Sequence, residues 1–245
     1  MSEHTGLNKL KGFEPVYVIN LKSRTDRFDY IKQQLEENNL SNFNIIEAID
    51  GNSTDWENLV FNRHHLSLTD SELGATISHL STIKKWLETS DSDYAIIIED
   101  DLSFETVKYW NFTFEDFLNS IKPKYDVLQF CIIHNFQVNT SFHMREHRDW
   151  SAACYLITKE GAKKIIDKYF VDGKYVLPSD YRALADFIIY HGVKSYSKPL
   201  FTYSMDFETS VTSPHNTKEH KEHPDGIHHK SRKDVISFWE QHGVS

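Results

Sequence analysis

Cysteine, glycine and proline are all scarce in this 245-residue chain, at two, nine and six residues. Cys131 and Cys154 each lie in an apolar run, so two buried thiols are expected rather than a disulfide framework, and no CxxC pair is available for structural zinc. The chain has no GxxxxGK[ST] phosphate loop, no GxGxxG fingerprint and no HExxH helix, which removes three large classes of nucleotide and zinc enzyme. No stretch approaches the roughly 18 apolar residues of a membrane span, and the polar segment 1–12 has no signal-peptide core. A cytoplasmic location follows as an expectation, with the compartment otherwise open. The sequons at Asn52, Asn111 and Asn139 read as chance matches without a targeting signal.

Aromatic residues, in contrast, are plentiful. The 16 Phe, 12 Tyr and 5 Trp carry enough apolar area to build a large core. The formal net charge of −9 argues against nucleic acid as a partner while leaving room for a local basic pocket that holds a diphosphate.

The hydrophobic pattern alternates between two periods. Val16–Leu21 (VYVINL), Tyr94–Ile98 (YAIII) and Asp126–Ile133 are continuous apolar runs, the signature of strands buried on both faces. Between the first two runs, Asp26–Asn39 carries an apolar stripe at helical spacing, followed by a strand at Phe43–Ala48. Thr69 and Glu72 have capping-box spacing, and Leu73, Ile77, Leu80, Ile83 and Leu87 supply the buried stripe of the helix they open. Further on, Trp150–Ile157 reads as a strand, and Thr158 caps a helix through Tyr169. Ser179 caps another over Asp180–His191. Val193–Phe201 is the last strand, and Asp234–His242 a short terminal helix. The pattern predicts one α/β domain with a mixed, mostly parallel central sheet and helices on both faces. Residues 1–12 are expected to be a flexible N-terminus, 13–201 the folded domain, and 202–245 a polar C-terminal arm.

Glu99-Asp100-Asp101 directly follow the YAIII strand. Ligands of α/β sheets collect outside the carboxyl ends of strands, and a carboxylate pair placed there can hold a hard divalent cation that bridges phosphate oxygens. In an extended turn, Glu99 and Asp101 would converge on the metal, with Asp100 facing ribose or backbone. Oxygen ligands suit manganese and magnesium equally. The other reading is a solvated strand end. The turn alone fits a phosphatase, a nucleotidyltransferase or a Rossmann-like kinase as well.

Four stretches in order narrow the choice. VYVINLKSRTDR (16–27), LTDSELGATISHLSTIKKW (68–86), YAIIIEDDLSF (94–104) and, more weakly, AACYLITKEGAKKII (152–166) together resemble glycosyltransferase family 25, which includes lipooligosaccharide and collagen hydroxylysine galactosyltransferases. The resemblance implies a GT-A-type nucleotide-sugar-binding domain. It also implies a UDP-sugar donor (UDP-galactose or UDP-glucose), manganese as cofactor, and inverting transfer to a hydroxyl on a glycan or a hydroxylysine-type acceptor. Two competing functions remain: another metal-dependent nucleotide enzyme such as a sugar-phosphate nucleotidyltransferase, and an inactive sugar-binding protein of the same fold.

On this reading Glu99 and Asp101 are metal ligands, and His215, from the His-rich arm, is the candidate that completes the shell when the arm closes over the donor. Asn20 is a candidate for base or ribose contact, or else ties down its own turn. Arg24 and Arg27, one helical turn apart, are either surface cations or nucleotide ligands. Ser78 and His79 sit where the family's Ser-His pair lies near the donor, and Asp100 completes the nucleotide side. Asp180 is the favoured general base, by likeness to an acidic residue in the family's later segment. Asp186 is set aside because six residues along one helix would point it elsewhere, and Asp149 is a third option.

Overall fold

A computed structural model of the chain describes residues 8–53, 56–61, 63, 66–207 and 226–243. The strands are β1 (Val16–Asn20), β2 (Phe43–Glu47), β3 (Tyr94–Glu99), β4 (Leu102–Ser103), β5 (Val127–Cys131), β6 (His143–Met144), β7 (Cys154–Thr158), β8 (Phe170–Val171), β9 (Lys174–Tyr175) and β10 (Ser195–Tyr203). The α-helices are α1 (Thr25–Glu37), α2 (Asp70–Thr89), α3 (Phe114–Ser120), α4 (Lys159–Tyr169), α5 (Ala185–Ile188) and α6 (Ile227–His242).

The main sheet runs β2-β1-β3-β7-β5-β10-β4, with β6 on β10, and β8 and β9 form a separate ribbon. β1 pairs parallel with β2 and β3, and β5 pairs parallel with β10. β7 lies antiparallel between β3 and β5, so β2, β1, β3, β5 and β10 all point the same way. The mixed sheet with helices on both faces agrees with the sequence expectation. The reversed β7 does not show in a continuous apolar run, because burial on both faces erases the pattern that would report strand direction.

Strand alternation divides the core into two layers. Val16, Val18, Ile96, Ile98, Leu128 and Leu156 face one side and pack with Ile31 and Leu35 of α1, Phe114 of α3 and Trp239 of α6. Tyr17, Ile19, Ala95, Ile97, Tyr155 and Ile157 face the other, against Leu73, Ile77, Leu80 and Ile83 of α2 and Ile165 of α4. Each fully buried aliphatic side chain contributes on the order of 1.5–3 kcal/mol, and the central strands supply most of them.

Local rules fix the ends of the helices. The Thr69 side chain accepts from the Glu72 N–H, and the Glu72 carboxylate accepts the Thr69 N–H at 2.9 Å, the capping box read from sequence. The helix expected over Asp180–His191 is instead broken. Tyr181–Ala183 form a 3₁₀ turn, Leu184 is extended (φ −62°, ψ 146°), and only Ala185–Ile188 are α-helical. Asp180 rather than Ser179 is the cap, its carboxylate accepting the Arg182 N–H.

The two chain ends are more ordered than expected. Phe114 N–H donates to Lys9 O, and Leu10 is buried. Ser195–Tyr203 form a single strand, and the terminal helix begins at Ile227 rather than Asp234. His228, assigned from sequence to a solvated tail, is buried, and its carbonyl accepts from Tyr203 OH at 2.9 Å. Trp239 Nε1 donates to Pro199 O. Among the described residues no helix is long and apolar enough to cross a membrane.

Candidate active site

The site lies beyond the carboxyl ends of β1 and β3. Their parallel register sets Ile19 beside Glu99, so the next residues, Asn20 and Asp100, leave the sheet together. Asn20 Nδ2 donates to an Asp100 carboxylate oxygen at 2.7 Å and to Arg24 O at 3.2 Å. From the first turns of α1, Arg27 donates to the other Asp100 oxygen at 2.9 Å and stands 3.1 Å from the Asp101 carboxylate. All three side chains are nearly excluded from solvent. Burial alone would lower the Arg27 pKa, but Asp101 and Asp100 raise it above its usual value. Burial raises the Asp100 pKa while Arg27 and Asn20 oppose that rise.

Glu99 turns the opposite way. Its carboxylate lies 3.1 Å from His79 Nε2, and His79 Nδ1 lies 3.1 Å from Tyr155 OH. Burial holds the Tyr155 pKa far above its usual value, so the phenol keeps its proton. The neutral imidazole that satisfies both bonds accepts from Tyr155 at Nδ1 and donates from Nε2 to Glu99. β7 supplies Tyr155 from the antiparallel position, which is how that strand reaches the site.

A second group closes in from the chain beyond β5. The Asp186 carboxylate accepts the Ser151 N–H, feels the positive charge of Arg145 and His79, and is opposed by the negative charge of Glu99. Its side chain is still partly accessible, yet surrounding atoms are dense enough that burial raises its pKa above the usual carboxylate value. Ser151 sits at φ 99°, a strained conformation for a residue with a side chain. Arg145 donates to Asp149 O at 2.7 Å and Asp186 O at 3.2 Å, and its guanidinium lies over the Tyr190 ring at 4.4 Å. Tyr190 OH in turn donates to Ser151 O.

Asn20, Arg27, His79, Glu99, Asp100 and Asp101 therefore meet. Asp100, expected to face ribose, is instead clamped between Asn20 and Arg27. Ser78 works beneath the site: its hydroxyl accepts from Ile49 N–H at 2.8 Å and donates to Gly74 O at 2.7 Å, fastening the loop after β2 to α2. Gly74 and Gly51 permit that approach, since a Cβ on Gly51 would collide with the Asp70 carbonyl. Arg24 makes a two-point contact with Asp26, at 3.0 and 2.8 Å, and lowers the Asp26 pKa to about 2.

Asp180 is exposed and bound by Arg182 at 2.8–3.0 Å, which lowers its pKa. Asp149 is buried on His143 and the Glu146 N–H. His215 lies outside the described residues. Sequence reading passed over Asp186 because it assumed an unbroken helix; Leu184 breaks that helix and re-aims everything after it.

Beside Asn20 a cavity of about 520 Å³ opens between the ends of β1 and β2, lined by Leu21, Lys22, Ala48, Asp50, Trp56 and Leu59 among others. It combines a flat indole and aliphatic walls with carboxylate, ammonium and backbone groups.

The sequence profile of glycosyltransferase family 25 (LPS biosynthesis protein) matches residues 13–181, which contain the whole acidic turn and its partners on α1 and α2. The chain belongs to glycosyltransferase family 25.

Procollagen galactosyltransferase 2 from Mus musculus is 34% identical to this family 25 glycosyltransferase over 107 residues, covering 38% of this chain and 16% of the mouse protein. The human protein of the same name matches over the same length at the same identity. A putative glycosyltransferase from Acanthamoeba polyphaga mimivirus is 24% identical over 128 residues, 51% of this chain and 38% of that protein. The matches thus span well under half of these relatives. Among solved structures, the inositol-1-phosphate CTP transferase from T. maritima is similar at a TM-score of 0.40 and 10% identity, covering 94% of this chain and 97% of that one. A mutant Drosophila β1,4-galactosyltransferase 7 in complex with manganese, UDP-Gal and xylobiose is similar at 0.31 and 12% identity, covering 86% and 82%. These structural likenesses are too low to bear on function.

Among the described residues no three His, Cys, Asp or Glu side chains group as a closed metal cage. What the family 25 enzyme offers at the strand ends is a run of hard oxygen donors. Asp100 already has both oxygens engaged, which leaves Asp101 and Glu99. Two carboxylates fit a cation of the magnesium or manganese type that takes its remaining ligands from phosphate and water.

Proposed function

We propose that this glycosyltransferase moves a hexose, galactose or glucose, from a UDP-sugar to a hydroxyl acceptor with inversion. The observation that carries the reading is the clamp of Asp100 and Asp101 by Asn20 and Arg27 at the strand ends, beside a cavity suited to a nucleoside. The loop held by Ser78 and Gly74 gives that cavity a firm wall, with Trp56 for the base and Asp50 for hydroxyls. Glu99 and Asp101 would hold manganese or magnesium, which supplies positive charge against the departing diphosphate. Arg27 holds Asp101 in place for that role, and the Tyr155–His79 pair does the same for Glu99.

On the acceptor side a base must remove the hydroxyl proton as that oxygen attacks the anomeric carbon opposite UDP. Asp186 fits better than Asp180. Its raised pKa gives it basicity that Asp180, neutralised by Arg182 in open solvent, does not have, and it shares its electrostatic surroundings with Glu99 and His79. The acceptor class left open by family membership is either a glycan or a hydroxylysine-type hydroxyl.

The test is UDP release from a panel of nucleotide-sugars with manganese, first without and then with acceptors. UDP-galactose or UDP-glucose is expected to turn over and to stop on adding a chelator. If both fail while another nucleotide-sugar works, the donor assignment is wrong. If none turns over, the reading as a UDP-sugar transferase falls.

A further inference from the structure

The rim of the site beyond Asp186 carries an aromatic row that donor chemistry does not use. The Phe187 ring centroid lies 5.1 Å from that of Tyr181, at 79°, and 5.6 Å from that of Trp150, at 65°. Tyr181 is 57% exposed, and Phe187 and Trp150 are half-buried. Three rings from two distant segments thus gather at the surface instead of in the core, where such area is ordinarily placed.

Their position is tied to the candidate base. Phe187 follows Asp186 on α5, and Trp150 precedes Ser151, whose N–H holds the Asp186 carboxylate. Tyr181 belongs to the 3₁₀ turn just before Leu184. At the outer edge, the exposed Asp180 and Arg182 side chains are bonded to each other, which sets an acceptor and a donor side by side with no net charge.

The geometry points to an acceptor subsite for a saccharide, in which the Tyr181–Phe187–Trp150 row receives the C–H face of a sugar ring and delivers its hydroxyl to Asp186. Ligand sites of this kind pair apolar rings with a few fixed polar groups, and a neutral polyol presents the same combination. A cationic hydroxylysine side chain would instead favour unpaired carboxylates, and those at this rim are matched by Arg182 and Arg145. The inference rests on the proposed glycosyl transfer at the acidic turn, whose acceptor class it names.

Saturation-transfer NMR on the full chain tests it, with methyl β-galactoside, methyl β-glucoside and Nα-acetyl-hydroxylysine amide as probes. Transfer to sugar ring protons is expected. Tyr181→Ala should weaken sugar binding about fivefold, Tyr181→Trp should restore it, and Phe61→Ala, at an exposed ring elsewhere, should leave it unchanged. Equal sugar binding by wild type and Tyr181→Ala overturns the subsite, as does binding of the hydroxylysine probe without the sugars. Turnover of UDP-galactose by the wild type separates the two claims. Turnover without sugar binding sinks the saccharide subsite alone, whereas sugar binding that needs Tyr181, without any donor turnover, upholds the rings as a saccharide site and sinks the transfer reading.

Discussion

Asn20 and Asp100 are 80 residues apart in the chain and meet through a 2.7 Å hydrogen bond. The parallel register of β1 on β3 makes this meeting unavoidable, since both residues stand one step beyond a paired position. The bond joins the two segments on which donor binding is proposed to depend, and Arg27 completes it from α1.

Removing Arg27 should destabilise the fold. Arg27→Ala would leave two carboxylates buried without their cation, a loss of about 3–5 kcal/mol for a pair of this burial. Urea unfolding should show a lower midpoint, and the Arg27→Ala/Asp100→Asn double variant should recover part of it. A midpoint equal to wild type would mean that the pair carries no structural weight.

Asp101→Asn should lower manganese-dependent UDP-sugar turnover by about a hundredfold or more, the scale of losing one group that stabilises developing charge. Steady-state UDP release checks this. Turnover kept at the wild-type level would remove Asp101 from the metal site.

Asp186→Asn should reduce kcat by about 10²–10⁴, with the UDP-sugar KM little changed, whereas Asp180→Asn should have a much smaller effect on kcat. A base must be ionised to act, and burial raises the Asp186 pKa above the ordinary 3.8. The acidic limb of the pH–rate profile should therefore sit above pH 3.8 and disappear in Asp186→Asn. A large kcat loss in Asp180→Asn alone would return the base to Asp180.

The His143–Asp149 pair should shape the pH dependence of stability. Despite burial, the Asp149 hydrogen bond raises the His143 pKa above its ordinary 6.5, so this contribution is complete below pH 6.5 and fades as pH rises through the folded value. Burial acts against ionised Asp149, but His143 and the Glu146 N–H lower its pKa below 3.8, so that contribution is complete above pH 3.8 and fades as pH falls through the folded value. Thermal unfolding of wild type should be most favoured between the two, and His143→Gln should lose the decline on the alkaline side. An unchanged alkaline decline in His143→Gln would place its origin elsewhere.

The elements easiest to read were those set by local chemistry. β1, β3 and the capped start of α2 are contiguous apolar runs or short-range side-chain bonds, and the acidic turn inherits its place from β3. Ser78 and His79 were recognisable as a pair but not as two opposite jobs, since one faces the loop after β2 and the other faces Glu99 across the helix. Asp186 was missed because periodicity extends a helix through Leu184, where the backbone turns extended. The direction of β7, and with it the bond from Tyr155 to His79, depends on pairings between segments some 60 residues apart in β3 and β7, which no local pattern encodes.

The reversed strand β7 also divides the molecule for engineering. Everything proposed to hold the donor comes from chain before residue 104, apart from Tyr155, while Ser151, Asp186 and the Tyr181–Phe187–Trp150 row come from chain after residue 149. A chimera exchanging residues 134–151 and 176–191 with those of another family member would leave β1, β3 and α2 intact. Acceptor preference should then travel with the graft while donor preference stays with the host, a modularity that lets one nucleotide-sugar scaffold be redirected to new glycans.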